Sequence, residues 1–184
     1  MAITTGQDIL AADVLKIILP AEININTSFP ALSGLQAAGY SVIESSGAGT
    51  IKPIIPILSF DDTTDEGRIW IFRMPLITSG SLYLYHAGYM AGANTTRTVK
   101  IAAQLAAIGS GDASVAAKVF AAVNSQSKAV PDAAGTYFQD SFVLTNADSI
   151  TVGDWACLAV FRDVSEDDAV GDYNMTAINL MMQA

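Results

Sequence analysis

Ser81-Leu-Tyr-Leu-Tyr-His-Ala-Gly-Tyr-Met90 decides the class of fold. Leu82 and Leu84 fall opposite Tyr83 and Tyr85. That is the two-residue period of a half-buried strand, not the 3.6-residue period of a helix. The same reading works outward in both directions. Upstream, Arg68-Ile-Trp-Ile-Phe-Arg-Met74 alternates two β-favouring faces before Pro75. Downstream, Thr95-Thr-Arg-Thr-Val-Lys-Ile101 alternates and runs on through Gln104 and Leu105, and Thr136-Tyr-Phe-Gln-Asp-Ser-Phe-Val-Leu144 follows. Trp155-Ala-Cys-Leu-Ala-Val-Phe161 is apolar on both faces and predicts a buried strand, with Trp155 beside Cys157 and Phe161. In Tyr173-Asn-Met-Thr-Ala-Ile-Asn-Leu-Met-Met182, Met175, Ala177, Asn179 and Met181 oppose Asn174, Thr176, Ile178 and Leu180. Gly92-Ala-Asn94, Gly109-Ser-Gly-Asp112, Asn146-Ala-Asp-Ser149 and Gly153-Asp154 punctuate these runs. Repeated short strands between turn signals predict a mainly β chain, an antiparallel β-sandwich or barrel over residues 61–184.

Two segments read differently. Residues 1–60 hold Pro20, Pro30, Pro53 and Pro56 and the stretch Ser45-Ser-Gly-Ala-Gly49. Proline removes a backbone donor and disfavours helix in the residue before it. This third reads first as an extended N-terminal arm and otherwise as an ordinary first strand pair with loops, with a short helix over residues 7–18, where Ile9, Leu10, Val14, Ile17 and Ile18 recur at near-helical spacing. The run Ile51-Lys-Pro-Ile-Ile-Pro-Ile-Leu-Ser-Phe60 reads as an edge strand. In residues 113–124, Val115, Val119 and Val123 lie four apart, with Ser114 or Asp112 available as an N-cap. The segment also reads as a strand that continues to Val130 with a polar middle, and helix and strand both remain open there.

Composition narrows the function. The chain has 184 residues, half of them hydrophobic (51%) and 15% charged. At this size roughly 70% of the unfolded surface is buried on folding, so a real core forms without staples. No apolar run reaches the ~20 residues of a membrane helix. The net charge of −9 repels phosphate backbones, and no Lys/Arg cluster offsets it, so neither nucleic acid nor membrane is an expected partner. Cys157 is the single cysteine, which excludes an intrachain disulfide. The N-terminus does not read as a signal peptide, and synthesis in a reducing cytoplasm is expected.

Chemistry-bearing residues are sparse. His86 is the only histidine, so any Ser-His-Asp arrangement would have to use it, and no Gly-x-Ser-x-Gly turn accompanies it. One His and one Cys cannot build a zinc site. Two acidic clusters, Asp61-Asp-Thr-Thr-Asp-Glu66 and Glu166-Asp-Asp168 with Asp163 and Asp172, read first as solvated loops. Their carboxylates could otherwise serve calcium or glycoside hydrolysis. Tyr83, Tyr85 and Tyr89 read first as sheet packing and otherwise as a stacking platform for sugars or a partner. Met175, Met181 and Met182 read as gap-fillers. No catalytic, cofactor-binding or metal-binding residue is assigned, and no cofactor is implied.

The order of these runs is similar to β-sandwich domains of tailed-bacteriophage structural proteins. In those a Gly-Asp turn leads into an apolar strand ending in Arg-Asp, then an acidic loop and a closing strand. Here those elements are Gly153-Asp154, Leu158-Ala-Val-Phe-Arg-Asp163, the acidic loop, and Gly171-Asp-Tyr173. The opening Thr4-Thr-Gly-Gln-Asp-Ile-Leu-Ala-Ala-Asp13 resembles the starts of such virion proteins. The resemblance covers residues 65–184 and implies a jelly-roll-like sandwich. It also implies a virion location after synthesis in the host bacterium, and a capsid decoration (cement) role. The expected partners are the major capsid protein and the chain itself, as a homotrimer. The alternative is a tail-fibre or receptor-binding component meeting host glycan through the tyrosines; a more distant one is a small glycan hydrolase.

Overall fold

The alternating runs form eleven strands in a computed structural model that describes residues 14–18, 35–74, 80–112 and 114–183. They are β1 Val14–Ile18, β2 Gln36–Ala37, β3 Gly39–Glu44, β4 Ile54–Phe60, β5 Glu66–Arg73, β6 Ser81–Met90, β7 Thr98–Ile108, β8 Asn124–Ala129, β9 Tyr137–Val143, β10 Trp155–Arg162 and β11 Tyr173–Gln183. One sheet has the order β3-β4-β11-β6-β9, with β1 beside the far half of β11; the other is β2-β5-β10-β7-β8. Every pairing is antiparallel except β2 with β5. From β4 onward the chain changes sheet at every connection but β7–β8, so the two sheets wind around one core as in a jelly roll.

The core takes side chains from both sheets. Phe60, Leu84, Phe142, Tyr173 and Leu180 come from the first, and Trp70, Ile101, Leu105, Leu158 and Val160 from the second. In β6 the expected alternation holds: Leu82, Leu84, His86 and Met90 are buried, and Tyr83, Tyr85 and Tyr89 are half-buried between them.

Among the described residues one charged side chain lies wholly inside. Arg162 is fully buried, and all five of its N–H groups find acceptors. Nε and Nη2 donate to the two Asp167 oxygens at 2.7 and 3.0 Å. Nη2 also reaches Ala169 O at 2.8 Å, and Nη1 reaches Gly171 O at 2.8 Å and Phe60 O at 3.4 Å. The planar guanidinium thereby ties the end of β10 to the acidic loop and to the end of β4. The fold needs glycine where strands crowd. A Cβ on Gly88 would lie 2.2 Å from Asn174 O, and Gly171, at φ +80°, would bring one 2.6 Å from Gly92 N.

The structure corrects several expectations. Residues 36–60, expected to be an arm, supply β2, β3 and β4 to the two sheets, and Leu58 and Phe60 are buried core residues. The boundary after residue 60 is therefore only the β4–β5 connection. The expected helix over residues 7–18 is a strand at Val14–Ile18, where hydrogen bonding to β11 overrides local periodicity; its earlier part lies outside the described residues. Pro56 is accommodated as expected of an edge, because β11 pairs β4 only at Leu58, Ser59 and Phe60. Between Ser114 and Val123 the helix does not form, and the strand expected to continue to Val130 forms only from Asn124, as β8. A single 3₁₀ turn, Val115–Ala117, leads into extended chain, and Val115, Val119 and Val123 are exposed. A bulge between Met175 and Ala177 resets the alternation of β11, so Met175, Ile178 and Leu180 share the core face. Trp155 starts β10 as predicted but is 53% exposed, because Ala156, Leu158 and Val160 take the inward positions.

Candidate functional site

The inward assignment of Leu82, Leu84 and His86 forces the tyrosines of β6 onto the outer face of the first sheet. On neighbouring β9, Phe138 and Phe142 are buried, so Tyr137, Gln139, Ser141 and Val143 share that outer face and are exposed. Cross-strand register sets Tyr89 opposite Tyr137, Ala87 opposite Gln139, and Tyr85 opposite Ser141. On the other side of β6, β11 brings Asn179 opposite Tyr85 and Asn174 opposite Tyr89. Small Ala87 lies between Tyr85 and Tyr89 and faces Ala177, and it is fully covered by its neighbours.

The polar groups that β6, β9 and β11 place on this face are neutral, and the Asp172 carboxylate stands at its margin beside Ser59. Tyr85 Oη donates to Gln139 Oε1 at 2.6 Å. Lost hydration, and then the adjacent Tyr137 hydroxyl, hold the Tyr85 phenol above its ordinary range. Burial alone does the same for Tyr89, whose hydroxyl has no partner among the described residues. Both stay neutral at ordinary pH and can donate and accept. The Ser59 hydroxyl sits 2.8 Å from Asn174 Oδ1 and 3.1 Å from Asp172 Oδ2. No Lys, Arg, Asp or Glu occupies an outward position of β6, β9 or β11 among the described residues. Tyr137, 57% exposed, was not singled out in the sequence; its signal was its alternation with Phe138.

His86 is no part of this face. It is buried, with Nδ1 2.8 Å from Tyr173 Oη and Nε2 without a partner among the described residues. Burial lowers its pKa to about 4, against a smaller upward pull from Asp140 and a downward one from Lys128. The unfolded imidazole titrates near 6.5, so between those values the unfolded chain binds a proton that the folded one refuses. Stability is therefore whole above about pH 6.5 and falls towards pH 4, by on the order of 3 kcal/mol. His86→Gln should flatten this slope relative to the parent in urea unfolding at pH 7, 5.5 and 4.5. Parallel slopes would show that His86 does not titrate as a buried neutral group.

The acidic clusters are drawn apart and recombined. Asp61, Asp62 and Asp172 converge, offering one oxygen each within 4.8 Å of the others. Such oxygens could hold a hard cation. They also serve the chain: Asp62 accepts from Gly171 N at 2.6 Å, and Asp61 accepts from Thr63 N at 2.6 Å and Thr64 N at 3.1 Å. The rest disperse. Asp167 pairs with Arg162, Asp168 accepts from Thr98 N at 2.7 Å, Glu66 from Asp61 N at 2.9 Å, and Asp163 and Glu166 meet Lys100. The meeting of Asp61 and Asp62 with Asp172 spans the chain and has no sequence signal. Cys157 is half-buried, with its thiol pushed up by burial.

No protein-family model and no curated protein matches the chain. Solved structures do resemble it. A family 11 carbohydrate-binding module from Clostridium thermocellum, solved with a β-1,3-1,4-mixed-linked tetrasaccharide, is 10% identical with a TM-score of 0.43, over 90% of this chain and 94% of its own. A family 28 module specific for non-crystalline cellulose is 13% identical with a TM-score of 0.43, over 82% and 89%. A xylan-binding family 22 module from Paenibacillus barcinonensis is 12% identical with a TM-score of 0.41, over 92% and 99%. At these scores the likeness is one of general architecture. The properties of the tyrosine face rest on its own residues.

Proposed function

We propose that this chain is a non-catalytic binding module that holds a neutral glycan on the outer face of β6, β9 and β11. One observation carries the reading: four tyrosines, amides and hydroxyls share an uncharged face on a molecule of net charge −9. A pyranose ring has an apolar C–H face and a rim of hydroxyls. Tyrosine matches both, with a rigid apolar ring and a polar tip. Exposed Tyr137, with half-buried Tyr85 and Tyr89 beside it, would stack against ring faces, and exposed Gln139 would meet hydroxyls, while buried Asn174 and Asn179 support the strands beneath. An uncharged face inside an acidic molecule favours neutral over anionic polysaccharide. The decoration role expected from the sequence draws no support from the fold or from the structures it resembles. The glycan-contacting alternative therefore becomes the main reading. The carboxylates that do converge, Asp61, Asp62 and Asp172, include oxygens already held by Gly171 N, Thr63 N and Thr64 N, which speaks against the hydrolase.

Affinity electrophoresis through gels carrying neutral and anionic polysaccharides tests this. The parent should be retarded by at least one neutral polymer and not by anionic ones. Tyr85→Ala with Tyr137→Ala should weaken that interaction at least about tenfold, or roughly 1.4 kcal/mol. Trp155→Ala, on the outer face of the other sheet, should leave it unchanged. Equal retardation of the double tyrosine variant, or loss on Trp155→Ala, would move the site elsewhere.

A further inference from the structure

We infer that the chain pairs with a second copy of itself through the outer edge of β3, as a two-fold dimer in which the first sheet runs from one copy into the next. The β3–β4 hairpin extends beyond the sandwich. β11 pairs β4 only at Leu58, Ser59 and Phe60, so Ser41 to Glu44 and their partners Ile57 to Ile54 form a two-stranded ribbon outside that pairing. The ribbon is apolar where it meets solvent: Val42 is 55%, Ile54 66% and Ile51 95% exposed, with Ile43 and Ile55 also exposed. Alternation sets Val42 and Ile54 on one face of the ribbon and Ile43 and Ile55 on the other, so apolar side chains flank the free edge on both faces.

The edge is also unguarded. Among the described residues β3 has no neighbour on its outer side. Its strand carries no proline and no bulge, and its one charge, Glu44, lies at the end, 3.5 Å from Lys52. Natural edges normally carry such devices to prevent pairing.

Several features favour a second copy as the occupant. An antiparallel edge is its own complement, since each copy offers the donors and acceptors the other lacks. Val42 and Ile43 of one copy would cover their equivalents. Glu44 and Lys52 are the only charges between residues 39 and 60 and pair with each other, so self-contact brings no like charges together. A standard interface buries ~800 Å² per partner, to which the exposed side chains on both faces of the ribbon and the strand hydrogen bonds would contribute. The long-range repulsion between two −9 molecules is screened by salt, so association should strengthen with ionic strength. Antiparallel pairing of one edge closes at two copies, with the axis perpendicular to the sheet. Both tyrosine faces then look to the same side. That last consequence rests on the glycan reading; the dimer does not.

Sedimentation velocity without glycan, from ~1 to ~100 μM, separates the two. The expected result is a shift from monomer to twice the monomer mass, at lower concentration in higher salt. Val42→Lys with Ile43→Lys should remain monomeric over that range with an unchanged circular dichroism spectrum. In case that variant folds poorly, hydrogen exchange on the parent provides a second reading: β3 amides should gain protection with concentration while β8 amides do not. A parent that stays monomeric, forms a trimer, or protects β8 instead of β3 overturns the inference.

Discussion

Asp167→Ala is expected to lower the unfolding free energy by about 3–5 kcal/mol, the usual cost of leaving one member of a buried ion pair without the other. Arg162 cannot escape to water. It is fully buried, and three of its contacts are backbone carbonyls of Phe60, Ala169 and Gly171. Removing Asp167 strands the charge; removing Arg162 strands three carbonyls and a carboxylate, each costing about 1–3 kcal/mol when left unsatisfied. For a chain of this size, the loss corresponds to a melting temperature lower by roughly 10–15 °C. Asp167→Asn should fall between, since it removes charge but keeps an acceptor. Urea unfolding measures all of these. A loss under about 1 kcal/mol for Asp167→Ala would mean that solvent reaches Arg162.

Trp70→Ala should cost a similar amount, about 3–5 kcal/mol for deleting a large buried aromatic. Trp70 lies opposite Leu158 on β10 and is almost completely buried. Its indole N–H has no partner among the described residues. Trp70→Phe should therefore be much milder, because it removes a polar group that burial penalises. Trp155→Ala, at a half-exposed position, should change stability by no more than about 1 kcal/mol. The chain has two tryptophans, so the single variants also separate their fluorescence. Trp70 should emit to the blue and resist acrylamide, and Trp155 should do the opposite. A stability loss larger for Trp155→Ala than for Trp70→Ala would reverse the two faces of the second sheet.

That contrast shows where sequence reading succeeds. β6 was legible from its alternation because polar-tipped tyrosines and leucines mark its two faces. β7 was legible as far as Leu105, three residues short of its end before the Gly109-Ser-Gly-Asp112 turn. The faces of β10 were not, since Trp155, Cys157 and Phe161 are as apolar as the inward Leu158 and Val160. Register against β5 and β7, not local pattern, decides between them. The bulge at Thr176 was invisible for a similar reason: one unpaired residue shifts every later side chain without altering composition. Val115, Val119 and Val123 mimic a helix that does not form. Residues 36–60 looked like an arm because proline suggested that their backbone had no partner, yet β4 finds one on each side of Ser59.

Part of the candidate site was legible as well. Tyr83, Tyr85 and Tyr89 stand out on one strand. Tyr137, Gln139, Asn174 and Asn179 join them only through pairing with β9 and β11, across separations that no local motif encodes.

An NMR titration of ¹⁵N-labelled protein with an oligosaccharide of whichever polymer retards it tests the central claim most directly. Shift changes are expected to concentrate at Tyr85, Ala87 and Tyr89 on β6 and Tyr137 and Gln139 on β9, with the amides of β5 and β7 unmoved. Changes centred on the second sheet around Ile71 and Trp155, or none with any neutral oligosaccharide, would contradict it.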